Sequence, residues 1–135
     1  MSYSTPGSPA NQYLRTQVRS SAPLELVVLL YDAALRAMTT AREATERRDL
    51  RARHTALSKA MATVDELQNS LDMERGGEIA LELDRLYNWV RSRLLDTIVQ
   101  KDARPLDEAR RVLEILRPAW QQIATAPAAA NGPRP

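Results

Sequence analysis

The sequence predicts an all-α fold: an antiparallel up-and-down four-helix bundle with a short N-terminal helix docked on it. No proline occurs between Pro23 and Pro105, and Gly76 and Gly77 are the only glycines in that stretch, so its backbone is free to be helical. Apolar residues recur there every three or four positions, as on an amphipathic helix. The 135 residues suit one domain, and the short connections favour antiparallel neighbours.

The two ends of the chain differ in composition from its interior. Residues 1–10 and 125–135 are rich in proline, serine, glycine and alanine and contain almost no large apolar side chain. Such segments cannot bury enough apolar surface to fold, so both are expected to be disordered tails. The helical domain is therefore predicted to cover residues 11–124.

The first long helix is predicted from Pro23, which suits the first helical position because its missing N–H has no intrahelical partner there, to about Arg47. Its apolar surface is wider than one core-facing stripe. One side holds Leu24, Val27, Val28, Tyr31, Leu35 and Met38, and the other holds Leu26, Leu29, Ala33 and Ala37. A helix of this kind must be covered on both sides. We therefore expect another segment or a partner protein on the side of Leu26 and Leu29.

The second and third helices are separated by a turn over 72–77. The second helix follows Asp49, a favourable N-cap residue, and its stripe consists of Leu50, Leu57, Met61, Val64, Leu67 and Leu71. Gly76 and Gly77 can both adopt a positive φ in the turn. The third helix, from about Glu78 to Gln100, carries a stripe of Ile79, Leu83, Leu86, Tyr87, Val90, Leu94 and Ile98. Leu81, Leu95 and Val99 point away from that stripe.

The fourth helix is predicted to begin at Pro105, with a stripe of Leu106, Ala109, Leu113, Leu116 and Trp120. Pro118 lies inside it and should kink the last turns or end them early, because an internal proline costs about 3 kcal/mol. Tyr13, Leu14 and Val18 predict a further helix of about two turns at residues 11–19. A helix this short is unstable alone, so we expect it to dock on the apolar first helix.

Residue types that perform catalysis or bind metals are scarce. His54 is the only histidine and there is no cysteine, so neither a histidine pair for zinc nor a thiolate is present. No Gly-Lys-Ser/Thr phosphate loop occurs. Glu78, Glu82 and Asp84 lie near a helix N-terminus, where the dipole favours acidic side chains. The sequence predicts no enzyme, no cofactor and no metal.

Charge and hydropathy restrict the class of partner. The 19 basic and 17 acidic residues leave a net charge of +2, and the signs alternate along the chain, whereas nucleic-acid binding requires a concentrated basic face. The N-terminus has no secretory signal, and the longest apolar run, Leu26 to Tyr31, is far below the roughly 20 residues that cross a bilayer. We expect a cytoplasmic protein with no nucleic-acid partner and no membrane insertion.

Two stretches of the chain resemble the FliS family of flagellar secretion chaperones. They read NQYLRTQV at 11–18 followed by APLELVVLLYDAAL at 22–35, and ELQNSLDMERGGEIALELDRLY at 66–87. The family's Leu-Tyr-Asp matches 30–32, its Ser-Leu-Asp and Gly-Gly-Glu-Ile-Ala turn matches 70–72 and 76–80, and its closing tryptophan matches Trp120. Ala22, where the family usually has serine or threonine, and Pro118 depart from the pattern.

The resemblance implies a cytosolic chaperone that binds the disordered C-terminal region of flagellin one to one. It would prevent premature polymerisation and deliver flagellin to a component of the flagellar type III export gate, with the client folding into helices along apolar grooves. The predicted partner-binding residues are Leu26, Leu29, Leu30, Tyr31, Leu81, Leu95 and Val99. The family's N-terminal tyrosine segment covers part of this surface, which makes Tyr13, Leu14 and Val18 the predicted autoinhibitory cap. Weak self-association of the free protein is a further expectation.

The same apolar excess fits other hypotheses. The main alternative is a helical adaptor or a homodimerising bundle with a different protein partner. A further possibility is that these leucines have no binding role, since scattered exposed leucines are common on protein surfaces. A cofactor-free bundle enzyme is the third hypothesis, and it has the least support because no nucleophile and base converge in the sequence.

Overall fold

The computed structural model describes residues 23–125, and within that range the chain forms four α-helices and no β-strand. They are α1 (Pro23–Arg47), α2 (Leu50–Asn69), α3 (Gly77–Gln100) and α4 (Arg104–Thr125). The all-α prediction is confirmed there. The predicted N-terminal helix at 11–19, with Tyr13, Leu14 and Val18, lies outside the described residues, and so do both predicted tails apart from Thr125.

Only Arg48 and Asp49 connect α1 to α2. Arg48 ends the first helix and Asp49 starts the second. Arg48 adopts a left-handed conformation with φ 60°. The carboxylate of Asp49 accepts a hydrogen bond of 3.1 Å from the backbone N–H of Ala52, which satisfies one of the free donors at the start of α2. The predicted N-cap is confirmed.

The turn between α2 and α3 requires both glycines, for different reasons. Gly77 has a positive φ of 58°, as predicted, whereas the φ of Gly76 is −76°, so that half of the prediction is wrong. A Cβ at Gly76 would lie 2.6 Å from both the Ala80 Cβ and the Asp72 carbonyl oxygen. Gly76 is therefore required for space, and Gly77 for its backbone conformation.

Polar contacts show that α1 and α4 run in opposite directions. Near the start of α1, Asp32 pairs with Arg117 late in α4, and further along α1, Arg42 pairs with Asp107 early in α4. α2 and α3 also run in opposite directions. Asp65 of α2 pairs with Arg91 of α3, whereas the later Gln68 bonds the earlier Asp84. Neighbours of this kind are the arrangement that short connections favour.

The core lies between the four helices and is filled mostly by the predicted stripes. Its largest fully buried apolar side chains are Tyr31, Met38, Leu57, Val64, Leu67, Tyr87, Val90, Leu94, Leu106 and Leu113. For two stripe residues the predicted core position is wrong, because Leu50 is 62% exposed and Ile79 is 71% exposed. Both lie in the first turn of a helix, at an end of the molecule. Ala37, assigned to the outer side of α1, is buried against the core.

Pro118 neither ends α4 nor enters the core. The helix continues for seven more residues to Thr125, so early termination is wrong. The proline is exposed, and its ring leaves the Glu114 carbonyl without a helical donor. That carbonyl can bond water at an exposed position, which explains why the helix tolerates the residue.

Candidate functional site

Two groups of exposed apolar residues lie on α1 and α3. The α1 ridge consists of Leu26 and Leu29, and Leu29 is 61% exposed. The α3 ridge consists of Leu81, Leu95 and Val99, and Val99 is 77% exposed. The predicted outward positions of these five side chains are confirmed.

Both ridges face the side of the molecule on which α2 lies. Ala33 of α1 lines a groove shared with α2, and Leu26 and Leu29 precede Ala33 by seven and four residues, so they lie on the same side of the helix. On α3, Arg91 bonds Asp65 of α2, and Leu95 follows Arg91 by four residues. The ridges therefore flank α2 on its two sides.

An apolar pocket opens at the end of the molecule where the α2–α3 turn meets the start of α1. Its volume is about 210 Å³. We call it the end pocket; its apolar lining consists of Leu24, Val27, Leu71, Ile79, Ala80, Leu83, Tyr87 and Trp120. The exposure of Ile79 is explained by this location. α1 begins at Pro23, beside Leu24 of this pocket.

Tyr31 lies beneath the pocket and not on the surface. Its side chain is fully buried, and its hydroxyl forms a hydrogen bond of 2.8 Å with the hydroxyl of Tyr87 in which either group can donate. The two rings meet edge to face with centroids 6.5 Å apart, and the Trp120 ring lies 6.3 Å from Tyr31. Tyr31 thus supports two side chains of the pocket wall. Leu30, the other motif residue, is partly buried against the core.

The tyrosine pair is held in its neutral form. Burial raises the pKa of Tyr31, and hydrogen bonds from Tyr87 and Trp120 oppose that rise. Burial raises the pKa of Tyr87 far above its usual value, and the nearby Tyr31 hydroxyl adds to the shift. A neutral hydroxyl pair costs little to bury when each group has a partner. Its role here is to fix the pocket wall.

Two residues that the sequence analysis did not single out are conspicuous in the structure. Arg53 is buried on α2, and its Nε has no hydrogen-bond partner among the described residues. Trp89 is partly exposed on α3, in a depression shared with Arg104, Arg111 and Val112 of α4. The signal for Trp89 was present in the sequence, because it lies off the apolar stripe of its helix.

The described residues contain neither a metal-binding cluster nor a membrane-spanning helix. Within residues 23–125, no group of three or more histidine or acidic side chains is placed to hold a metal ion, and His54 is exposed. None of the four helices is long and apolar enough to cross a membrane.

Comparison with known proteins gives one consistent result. The family model for the flagellar protein FliS matches residues 6–127. The flagellar secretion chaperone FliS of Salmonella typhimurium is 38% identical over 112 residues, which cover 82% of this chain and 83% of the relative. FliSB of Pseudomonas aeruginosa is 33% identical over 82% of this chain and 88% of its own length. FliS of Bacillus subtilis is 27% identical over 85% of each chain.

Proposed function

Because the chain belongs to the FliS family of flagellar proteins, we propose that it is a cytosolic export chaperone for flagellin. It binds the disordered C-terminal region of flagellin one to one, prevents premature polymerisation and delivers the client to a component of the flagellar type III export gate. The activity is binding without catalysis or a cofactor. The family match over 6–127 supports the general role, and the relatives' names specify secretion.

The observation that carries the proposal is the pair of leucine ridges on either side of α2. An unfolded client segment has apolar side chains that it cannot bury by itself, and the ridges offer complementary surface along two lines. Each exposed leucine or valine of the ridges that a client helix covers contributes roughly 1 kcal/mol, at about 25 cal/mol per Å² of apolar surface. Five such residues offset a good part of the ordering cost of the client, while the complex stays releasable.

We further propose that residues 11–19 form a short helix that docks over the end pocket of an antiparallel up-and-down bundle. Only three residues separate Arg19, the last residue of this segment, from Pro23, so the connection is short enough to bring the segment to the pocket. Tyr13, Leu14 and Val18 supply the apolar side chains that the pocket can accept. A helix of about two turns gains its stability from such docking, and a client that extends from the α1 ridge into the end pocket displaces it.

The experiment is a titration of the full chain with a peptide of the flagellin C-terminal region, followed by calorimetry and circular dichroism. We expect one peptide per chaperone, a gain of helical signal over the separate components and a negative heat-capacity change from apolar burial. A scrambled peptide of the same composition is the control. A helical signal equal to the sum of the components would reject folding on binding.

The ridges also fit an adaptor or homodimer, the main alternative. Solution mass separates the two functions. A stable dimer that hides the α1 ridge would favour the alternative, and a 1:1 complex with the flagellin peptide would exclude it.

A further inference from the structure

A groove between α1 and α2 differs in chemistry from the leucine ridges. Its floor consists of small side chains, Ala33 and Ala37 from α1 and Ala52 and Ala56 from α2. Its volume is about 650 Å³, compared with about 210 Å³ for the end pocket. A floor of alanines lets the backbone of another helix approach at the short end of the usual 8–10 Å range of interaxial distances.

The rim of this groove is positively charged. Arg36, Arg51 and Lys59 line it, and all three are exposed. Within the described part of the chain, Arg51 and Lys59 make no ion pair, and Arg36 acts on Asp32 only through its charge.

The acidic residue Asp49 also lines the groove, and its carboxylate offsets one of the three positive charges of the rim. It accepts a hydrogen bond from the backbone N–H of Ala52 as the N-cap of α2. We call the whole feature the basic groove, with its alanine floor and the rim cations Arg36, Arg51 and Lys59. It has an excess of unpaired positive charge above an apolar floor.

We propose that the basic groove is the docking site of an acidic amphipathic helix from a second protein, separate from the flagellin client. The alanine floor fits the small-residue face of such a helix, and the rim cations complement its carboxylates. Arg51 and Lys59 are eight residues apart on α2, which is about 12 Å along the helix axis. Acidic residues seven or eight positions apart on the docked helix would therefore meet both cations.

Nucleic acid is a poorer fit to the same surface. Phosphates would use the rim cations but would leave the alanine floor in contact with water, since they have no small apolar face to lay on it. The floor and the rim are satisfied together only by a helix that carries both alanine-like and acidic positions. None of the ridge residues lines the groove, although the α1 ridge lies on the same side of α1 as Ala33. A displacement measurement therefore separates the groove from the surface proposed for flagellin.

The test uses the full chain and two alanine-rich helical peptides of about 18 residues, long enough to be partly helical in water. One carries glutamates two turns apart on one face, and the other carries lysines at the same positions. By fluorescence anisotropy we expect the glutamate peptide to bind at least tenfold more tightly. The double variant R51E/K59E should bind it at least tenfold more weakly than the wild type.

Two further variants separate the groove from general charge. R85E/R111E removes two exposed arginines of α3 and α4 that do not line the groove, and it should change affinity less than twofold. Ala52→Phe fills the floor without altering charge and should weaken binding at least fivefold. Circular dichroism must show unchanged helix content in each variant. A variant that loses helix is replaced by the milder R51Q/K59Q or Ala52→Leu.

Four results would overturn the proposal. The first is an equal loss of affinity for the glutamate peptide in the two double variants, and the second is unchanged affinity in Ala52→Phe. The third is a polyuridine oligonucleotide that binds more tightly than the glutamate peptide and is weakened in the same way by R51E/K59E. The fourth is displacement of the glutamate peptide by flagellin peptide. The last result would assign the groove to the client itself. It is distinguishable from failure of the chaperone function, which predicts no flagellin binding at all.

Discussion

At the residue scale, the Asp32–Arg117 pair joins α1 to α4. The guanidinium of Arg117 donates to both carboxylate oxygens of Asp32, through Nε to Oδ1 and through Nη2 to Oδ2 at 3.2 Å. These hydrogen bonds lower the pKa of Asp32, and the charges of Arg117 and Arg36 add to the shift against partial burial. The carboxylate form is therefore the one that stabilises the fold.

The sign of the pH dependence follows from that lowered pKa. The contribution is present above the unfolded carboxyl's value of about 3.9 and is lost as pH falls through the lower folded value. We expect Asp32→Asn to lower the melting temperature by roughly 2–4 °C at pH 7, since the pair is only partly buried. The difference from the wild type should shrink below about pH 4. Thermal denaturation at pH 7 and pH 3 measures this, and the same difference at both values would contradict it.

Substitution of Arg53 is expected to raise the stability of the fold, whereas substitution of Asp32 lowers it. The buried Nε of Arg53 lacks a partner among residues 23–125, and an unpaired buried donor costs about 1–3 kcal/mol. Arg53→Met keeps the apolar stem and removes the donor, so we expect the free energy of unfolding to rise by about 1 kcal/mol. The control is Arg51→Met, on an exposed position two residues away, which should stay within about 0.5 kcal/mol. Chemical denaturation compares the two, and a loss of stability in Arg53→Met would show that its guanidinium is needed.

Single residues were predictable from the sequence where their role is local. Asp49 was identified as an N-cap because capping involves only the next three residues. The Tyr31–Tyr87 hydrogen bond was not foreseen, since its partners are 56 residues apart and no periodicity specifies which hydroxyls meet. Arg53 was missed for the same reason: an arginine on a helix is normally solvated, and only the packing of neighbouring helices shows that this one is buried.

At the scale of elements, helical periodicity predicted which side of each helix faces the core, but not where the neighbouring helices end. Leu50 and Ile79 lie on the correct side of their helices, but in first turns that the core does not cover. The internal Pro118 misled in a similar way, because an exposed turn can hydrate the carbonyl that the proline leaves unpaired. The ridges on α1 and α3 were foreseen because surplus leucines on the outer side of a helix are visible in the sequence.

Substitutions of two adjacent residues on α3 are expected to affect different properties, one the stability of the fold and the other the binding of the flagellin peptide. Leu94 is fully buried and Leu95 belongs to the exposed α3 ridge. We expect Leu95→Asp to weaken binding of the flagellin peptide at least tenfold with little change in melting temperature. Leu94→Ala should instead cost about 2–5 kcal/mol of stability through the cavity it leaves. Calorimetric titration and thermal denaturation of both variants provide the comparison, and an equal loss of stability would mean that the ridge is part of the core.

At the scale of the whole molecule, the proposed cap on the end pocket competes with a client that extends from the α1 ridge into that pocket. A ligand's affinity is reduced by the fraction of molecules whose site is closed. We expect Tyr13→Ala to leave flagellin affinity the same or higher, and to promote self-association because apolar surface is uncovered. Peptide titration and solution mass, compared with the wild type, test both effects. A large loss of affinity without self-association would make Tyr13 a direct client contact.

The aromatic cluster beneath the end pocket has an optical consequence. Trp120 and Trp89 are the two tryptophans of the chain, and Trp120 lines the pocket beside Tyr31. Replacing Trp89 by phenylalanine would leave one indole, whose emission shifts to longer wavelength in water and to shorter wavelength under an apolar cover. The emission of Trp120 in that variant would therefore report whether the end pocket is open to water or covered.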